Sequence, residues 1–513
     1  MQRKTHADEI QNFLIDAGNM AGGHAESVVF PETAEEIAEI LRDATRLKTP
    51  VTISGAGTGL VGGRVAFGGA VLAMDKFNRI KEIAKIGNVG ADFERFEGYG
   101  LVESGVILAD YARAVEAKGL FYPPDPTEWS CQLGGTVAAN ASGSRSFKYG
   151  ATREFVNYLR IVLPTGEILN LSRGEFTADK NNKLRIPVSD CGEVLIINLP
   201  TYKMPDTRKH AAGYFVKPAM DAIDLFIGSE GTLGVVTEIQ TRLLPKPESV
   251  LSGIVFFRHE KDLLEFVHQA RTISFLSRKI KGQPTKGTGR IDATLLEYFD
   301  RNALEFIRER FSLVPENVDG AIFFEQEVTA ETEENLLEQW YELLEQHNAE
   351  TETSWFATND ADGKKMREFR HALPVAVNEW IVRHGQRKVS TDMAVPDAEF
   401  AAQLKFYKET LNRSGLNYVI FGHIGDNHVH VNILPRDPKE AETARHIYGR
   451  FIARSLMVGG TISAEHGIGK LKRKYLEAMF GERYLNEMAA VKRAFDPAGI
   501  LNRGVMFDEK YLT

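Results

Sequence analysis

Apolar residues first recur at helical spacing at Ile37, Ile40, Leu41 and Ala44. Thr33 precedes them as a candidate N-cap, with Glu36 three residues on, so a helix is predicted there. Val51-Thr52-Ile53 and Ala70 to Met74 read as strands on either side of a glycine-rich stretch. Ile107 to Lys118 predicts a helix closed by Gly119. Leu159 to Pro164 and Glu167 to Leu171 flank Thr165-Gly166 and predict a hairpin. Residues 172 to 217 are polar and irregular and read as a long loop or insertion. Past Pro245, Pro247 and Glu248 glycine thins out and helical periodicity takes over. Leu336, Leu337, Trp340, Leu343 and Leu344 share one face there, against a solvated acidic face. Val419 to Phe421 and Val429 to Ile433 read as strands, and Tyr484 to Ala494 as a helix ending before Asp496-Pro497.

Length and charge narrow the class. The chain has 513 residues, which at ~150 residues per domain means two to four domains. The net charge of −8 argues against nucleic acid as a partner. No apolar run approaches the ~20 residues of a spanning helix, and residues 1–23 lack a signal-type apolar core. Cys131 and Cys191 are the only cysteines, too few for a disulfide scaffold or a four-thiolate site, and they suit a reducing cytoplasm. The 45 glycines are unevenly placed. They gather at 55–69, at 134–150 and at 228–234.

The first group poses a choice. Gly57-Thr58-Gly59-Leu60-Val61-Gly62 fits the dinucleotide pattern and follows a strand, with Asp75 downstream as a ribose-binding mimic. That fold needs a helix to start inside the motif. Residues 62–69 contain four glycines, each costing a helix roughly 1 kcal/mol. The segment is therefore read as a loop whose bare N–H groups wrap an anion, a pyrophosphate being the expected guest.

Ser54-Gly55-Ala56-Gly57-Thr58-Gly59-Leu60-Val61-Gly62-Gly63 resembles the pyrophosphate loop of FAD-linked oxidases of the vanillyl-alcohol oxidase (PCMH-type) superfamily. Pro123-Pro124-Asp125-Pro126, Gly134-Gly135-Thr136 through Asn140-Ala141-Ser142-Gly143, Lys148-Tyr149-Gly150, and Ile227-Gly228-Ser229-Glu230-Gly231-Thr232-Leu233-Gly234-Val235 follow in that family's order. The resemblance implies an α+β protein: a PCMH-type FAD-binding domain over 1–248 (subdomains about 27–85 and 86–248), an α+β cap with an antiparallel sheet over 249–460, and a helical C-terminal segment, 461–513, returning to the first domain. It implies FAD contacts from Ser54, Gly55, Ala56, Gly57, Thr58, Gly59, Gly62, Pro124, Asp125, Gly134, Gly135, Asn140, Ser142, Gly143, Tyr149, Gly150, Glu230, Gly231, Gly234, Val235 and Asn502. Many relatives hold flavin through a histidine near the first loop, but none occurs here between His24 and His210, so non-covalent FAD is expected. Cys131 is a candidate for a thioether, with a buried structural cysteine as the plain alternative.

Five of the 13 histidines fall between His423 and His466. In Gly422-His423-Ile424-Gly425-Asp426-Asn427-His428-Val429-His430-Val431-Asn432, the side chains of His428, His430 and Asn432 share a face if the segment is a strand. Ser463-Ala464-Glu465-His466 lies downstream. Imidazoles and a carboxylate from two segments form a ligand set for Zn²⁺, Mn²⁺ or Fe²⁺. A metal-free network of satisfied histidines fits the spacing equally.

Both segments resemble the metal motifs of the D-2-hydroxyacid dehydrogenase branch (D-lactate, D-2-hydroxyglutarate, glycolate). The resemblance implies a divalent metal, Zn²⁺ first, on His423, His430 and Glu465, with His466 as general base and Asn432 beside it. The family's usual Gly-Asn is here Asn427-His428, leaving His428 to face metal, substrate or water. The family's closing Asn-Pro-Gly-Lys is here Asn502-Arg503-Gly504-Val505, so Arg503 replaces the missing lysine only if it points inward. For a substrate carboxylate, Arg367 and Arg370 are candidates, Arg370 aligning with the family's arginine. Ser390 to Pro396 is expected to form a strand near the pocket, with Lys388 a weaker anion contact.

The activity implied is oxidation of a D-2-hydroxy acid to the 2-oxo acid, with hydride passing to FAD N5 and electrons leaving to a quinone, an electron-transfer flavoprotein or a cytochrome. A cytoplasmic or membrane-peripheral enzyme and a homodimer are compatible with it. The rivals are an O₂-reducing flavin oxidase, a non-redox enzyme of the alkyl-glycerone-phosphate synthase type, and a flavin-fold scaffold subunit, against which the full His/Glu set counts.

Overall fold

The structure is a computed structural model that describes residues 1–86, 96–188, 193–281, 289–357 and 359–512. Cys191 lies outside the described residues. Near the N-terminus, β1 (Gln2–Lys4), β2 (Ser27–Phe30), β3 (Val51–Ser54) and β4 (Ala70–Ala73) form a sheet in the order β1-β2-β4-β3. Helix α1 (Ala34–Leu47) covers it. Thr33 Oγ1 accepts the Glu36 N–H at 3.1 Å, capping α1. Ile37, Leu41 and Ala44 of α1 pack on Val51 and Leu72. Ile500 and Leu501 join that cluster, and Leu501 bridges Val51, so the C-terminal segment runs back onto the first sheet.

A six-stranded sheet follows. It contains β5 (Ile80–Lys85), β6 (Gly98–Glu103), β7 (Leu120–Phe121), β8 (Val156–Val162), β9 (Ile168–Ser172) and the 11-residue β12 (Val235–Pro245). The order is β5-β6-β12-β8-β9, with β7 against the end of β12. β8 and β9 are the hairpin expected around Thr165-Gly166. The helix expected after Ile107 spans Leu108–Glu116, and Gly119 closes it with φ +70°.

Residues 172–217 are not wholly irregular. β10 (Lys183–Pro187) and β11 (Val194–Asn198) pair antiparallel. Leu184 and Ile186 are buried while Arg185 between them is exposed, a period-2 signal too short to stand out in a polar stretch.

The second half is built on a seven-stranded sheet, β16-β13-β15-β14-β18-β19-β17. Its strands are β13 (Ser249–Phe257), β14 (Leu295–Asp300), β15 (Gly320–Val328), β16 (Trp355–Ala357), β17 (Val389–Ser390), β18 (Asn417–Gly422) and β19 (His430–Leu434). The helix Glu333–Gln346 buries Leu336, Trp340, Leu343 and Leu344, the face its sequence marks as apolar. The expected strand over 390–396 shrinks to Val389–Ser390, because Ala394 bridges both His428 and Thr461 from irregular backbone. The last long helix is Arg473–Phe495, broken at Gly481, and so begins well before Tyr484. No helix among the described residues is long and apolar enough to cross a membrane.

Candidate active site: a glycine-walled trough meeting a histidine cluster

A cavity of about 340 Å³ runs between the first sheet and the six-stranded sheet. One wall is the loop after β3, from Gly55 to Gly63. The other is helix α2 (Leu133–Ala139) and the turn Ser229–Gly234. Gly57 adopts φ +85°, and a Cβ there would lie 2.3 Å from Arg64 Nη1. Gly59 and Gly135 are different. Both line the cavity, and a Cβ on either would meet no atom of the chain within 4 Å. The walls thus present bare backbone to a guest, as an anion-binding cradle does. Gly134 sits in a helix for a packing reason: a Cβ there would lie 2.7 Å from Ser104 Cβ.

The loop is held from behind. Arg64 donates to Gly55 O at 2.7 Å, and Asp16 accepts the Gly62 N–H at 2.7 Å. Asn502 accepts from Ile53 N–H and donates to Glu230 O, both at 2.8 Å. Glu230 in turn accepts the N–H groups of Ile468 and Gly469 at 2.8 and 2.7 Å. Burial raises its carboxyl to about 7 against those two bonds.

At one end the trough is lined by Glu465 and His466. Glu465 Oε1 lies 3.3 Å from His423 Nε2, and Oε2 lies 3.7 Å from His430 Nε2. His423 Nδ1 sits 2.5 Å from Glu297, and His430 Nδ1 sits 3.2 Å from the Thr391 carbonyl. With those Nδ1 atoms directed at acceptors, both rings turn Nε2 toward Glu465. One ligand atom each from His423, His428, His430 and Glu465 lies within 4.8 Å of the others. Buried cations surround the group. Lys209 reaches Glu465 at 2.6 Å and Asp426 at 3.4 Å, and Arg370 Nε reaches Glu297 at 2.9 Å. Burial opposes charge on Glu465, but His423 and Lys209 outweigh it and hold the carboxyl well below its usual range. Burial also opposes charge on His423, yet Glu297 and Glu465 lift it to about 9.

His466 stacks on His430 with ring centroids 5.6 Å apart. Its Nδ1 lies 3.4 Å from Asp392 Oδ2. Asp392 is buried and also accepts from Lys472 and Ser463, both at 2.6 Å, and from the backbone N–H groups of Glu465 and His466 at 3.1 Å. Burial keeps the His466 imidazole down at about 4 despite Asp392, so the ring is neutral near pH 7.

With that geometry in view, comparison with known proteins is informative. Residues 25–172 match the FAD binding domain family, and residues 285–506 match the family described as FAD linked oxidases, C-terminal domain. The chain is 32% identical over 522 residues to a D-lactate dehydrogenase of Anaerostipes hadrus, spanning 97% of this chain and 93% of that protein. It belongs to the FAD-linked oxidases. A glycolate oxidase subunit GlcD of Bacillus subtilis is 30% identical, over 96% of this chain and 92% of its own. A D-2-hydroxyglutarate dehydrogenase of Stutzerimonas stutzeri is 26% identical, over 98% and 95%. In fold the chain is similar to an alkyldihydroxyacetonephosphate synthase, at TM-score 0.65 and 15% identity over 98% of this chain and 83% of that one.

In this FAD-linked oxidase the expected cofactor residues divide by position. Gly55, Ala56, Gly57, Thr58, Gly59, Gly134, Gly135, Ser142, Glu230, Gly231, Gly234 and Asn502 line the trough. Ser54, Gly62, Pro124, Asp125, Asn140, Gly143, Tyr149, Gly150 and Val235 are not among the residues that line it. Four of them make contacts within the chain. Asn140 Oδ1 accepts the Arg153 N–H at 3.0 Å, the Tyr149 hydroxyl bonds Glu327, Val235 pairs with Val162, and a Cβ on Gly143 would strike Asp125 O. Cys131 lines the trough, but burial pushes its thiol up to about 12, so it is no ready nucleophile for flavin attachment. Arg503 bonds the carbonyls of Gly499 and Lys48 rather than reaching the cluster. Arg367 faces Glu325 at 3.4 Å, which leaves Arg370 as the arginine tied to the cluster through Glu297.

Glu297, Asp392 and Lys209 are the residues sequence reading did not single out. Each lies far along the chain from its partners, and Lys209 is one of a run, Arg208-Lys209-His210, in a polar stretch. The only available signal was an acidic or basic residue inside an otherwise apolar or structured segment, as Glu297 is within Leu295–Asp300.

Proposed function

We propose that the protein oxidises a D-2-hydroxy acid to the 2-oxo acid with FAD and a divalent cation. The observation that carries this reading is one dipeptide. Glu465 and His466 line the flavin trough and at the same time meet the His423, His430 and Asp392 groups. Substrate bound there touches both chemistries. When bound, FAD supplies a two-electron hydride acceptor and the cation a Lewis acid for the hydroxyl.

The cation fits the donor set: two imidazole nitrogens and a carboxylate converge, and each imidazole is backed by an acceptor on its far side. His423, His430 and Glu465 would hold it. FAD fits the trough, where Gly59 and Gly135 leave open faces. His466, neutral and fixed through Nδ1 by Asp392, takes the hydroxyl proton at Nε2. Arg370 spends Nε on Glu297 and offers its Nη groups to the substrate carboxylate. The relatives named for D-lactate, glycolate and D-2-hydroxyglutarate support a short 2-hydroxy acid as the substrate class.

Anaerobic mixing with a panel of 2-hydroxy acids tests this by the loss of the oxidised flavin absorbance. D-enantiomers should bleach the flavin, and a strong chelator should abolish bleaching. A flavin that no 2-hydroxy acid bleaches would sink the proposal.

A further inference from the structure

One member of the histidine cluster has no task in the reaction outlined above. His428 follows the short turn Ile424–Asp426, which ends at Asn427 in the left-handed region with φ 54°. The His428 N–H donates to His423 O at 3.2 Å, so the chain doubles back and sets one imidazole beside the other. Ala394 bridges His428 and anchors it from the opposite side.

The ring is fully buried at 0% exposure. Neither Nδ1 nor Nε2 makes a hydrogen bond. Asp392 Oδ1 lies 3.4 Å from Nε2 without bonding geometry. A buried polar group left unpaired costs roughly 1–3 kcal/mol. Such an orphan in a well-packed interior needs an explanation. Its surroundings supply one: the ring centroid lies 4.5 Å from His430 and 5.5 Å from His423.

We propose that His428 is a fourth protein ligand, so that this chain binds its divalent cation with three imidazoles and one carboxylate. This rests on the metal-centred reading above and deepens it. Three imidazoles shift the site toward borderline cations such as Zn²⁺, Co²⁺ and Fe²⁺, and away from the oxygen-preferring Mg²⁺ and Mn²⁺. The fourth ligand also leaves one fewer coordination position for substrate oxygens.

The test is X-ray absorption on the flavin-loaded full chain carrying Zn²⁺. Scattering from three imidazoles per zinc is expected. Two imidazoles would overturn the fourth ligand while leaving the metal-centred reading intact. Zinc that does not bind at all would overturn both. A second arm measures Zn²⁺ affinity by chelator competition in His428→Asn, with the flavin spectrum as the check on folding. Affinity should fall by more than about 100-fold, beyond the ~10–100-fold that follows loss of an outer partner. Unchanged affinity in that variant also counts against the proposal. Should His428→Asn fail to fold, absorption on the unaltered chain decides alone.

Discussion

The two halves offer different means of recognition. The trough uses backbone: glycines of the 55–63 loop, Gly134, Gly135, Gly231 and Gly234 line it, and Gly59 and Gly135 leave open faces. The cluster uses side chains: His423, His428, His430, Glu465 and His466 converge from two segments, with Glu297, Asp392, Lys209 and Arg370 behind them. Backbone recognition needs only that side chains stay out of the way. Side-chain chemistry needs particular groups at particular atoms. Substitutions in the two regions should therefore fail differently.

The sharpest break is expected at His466. In His466→Ala the turnover number should fall by about 10²–10⁴-fold, the usual span for a general base. The bound flavin spectrum should persist, because the trough keeps its backbone walls. Steady-state kinetics beside the flavin absorbance separates the two readouts. Turnover near that of the unaltered enzyme would remove His466 from the chemistry.

Arg370→Lys should act on binding more than on the chemical step. A lysine keeps a charge for Glu297 but loses the planar fork. A charge-assisted hydrogen bond is worth roughly 1.5–3 kcal/mol, so KM should rise about 10–100-fold with a smaller change in kcat. A fall in kcat at constant KM would move Arg370 from carboxylate binding to another task.

The same contrast decides what the sequence disclosed. Glycine density and histidine density are local signals, and the structure gathers the segments they mark, the first round one cavity and the second into one cluster. Asp392, Glu297 and Lys209 gave no comparable density, because a buried ion pair is defined by partners such as Asp392 and Lys472, 80 residues apart. Motif likeness also could not tell which face of a loop a residue takes. Gly57 and Gly62 belong to one motif, yet Gly57 lines the trough and Gly62 is bonded away to Asp16. The β10–β11 hairpin was hidden because two buried side chains on one strand and one on the other make a weak periodic signal.

Two glycines sharpen the trough side of the comparison. Gly57→Ala forces a Cβ into the left-handed region and against Arg64, straining the chain itself by about 1–2 kcal/mol. Its flavin-free form should melt several degrees lower. Gly59→Ala meets no atom of the chain, so the flavin-free protein should melt unchanged while FAD affinity falls on the order of tenfold. Thermal melting with and without FAD distinguishes them. Equal losses of flavin-free stability would show that the face of Gly59 is not open.

The smallest effect should come from Glu230, which joins the halves by accepting from Ile468 and Gly469. Burial raises its carboxyl from 4.5 to about 7, while Lys470 and Lys472 pull the other way. A raised acid favours the folded state only while protonated there. Its contribution is therefore greatest at low pH, declines as pH climbs from about 4.5 through about 7, and levels off above that. Glu230→Gln cannot ionise and keeps one acceptor. The melting temperature of the unaltered protein minus that of Glu230→Gln should thus fall between pH 5 and pH 8. Using the difference cancels every other titrating group common to the two proteins. A difference that stays constant, or rises, would mean that Glu230 is ionised throughout and joins the halves as a plain charged clamp.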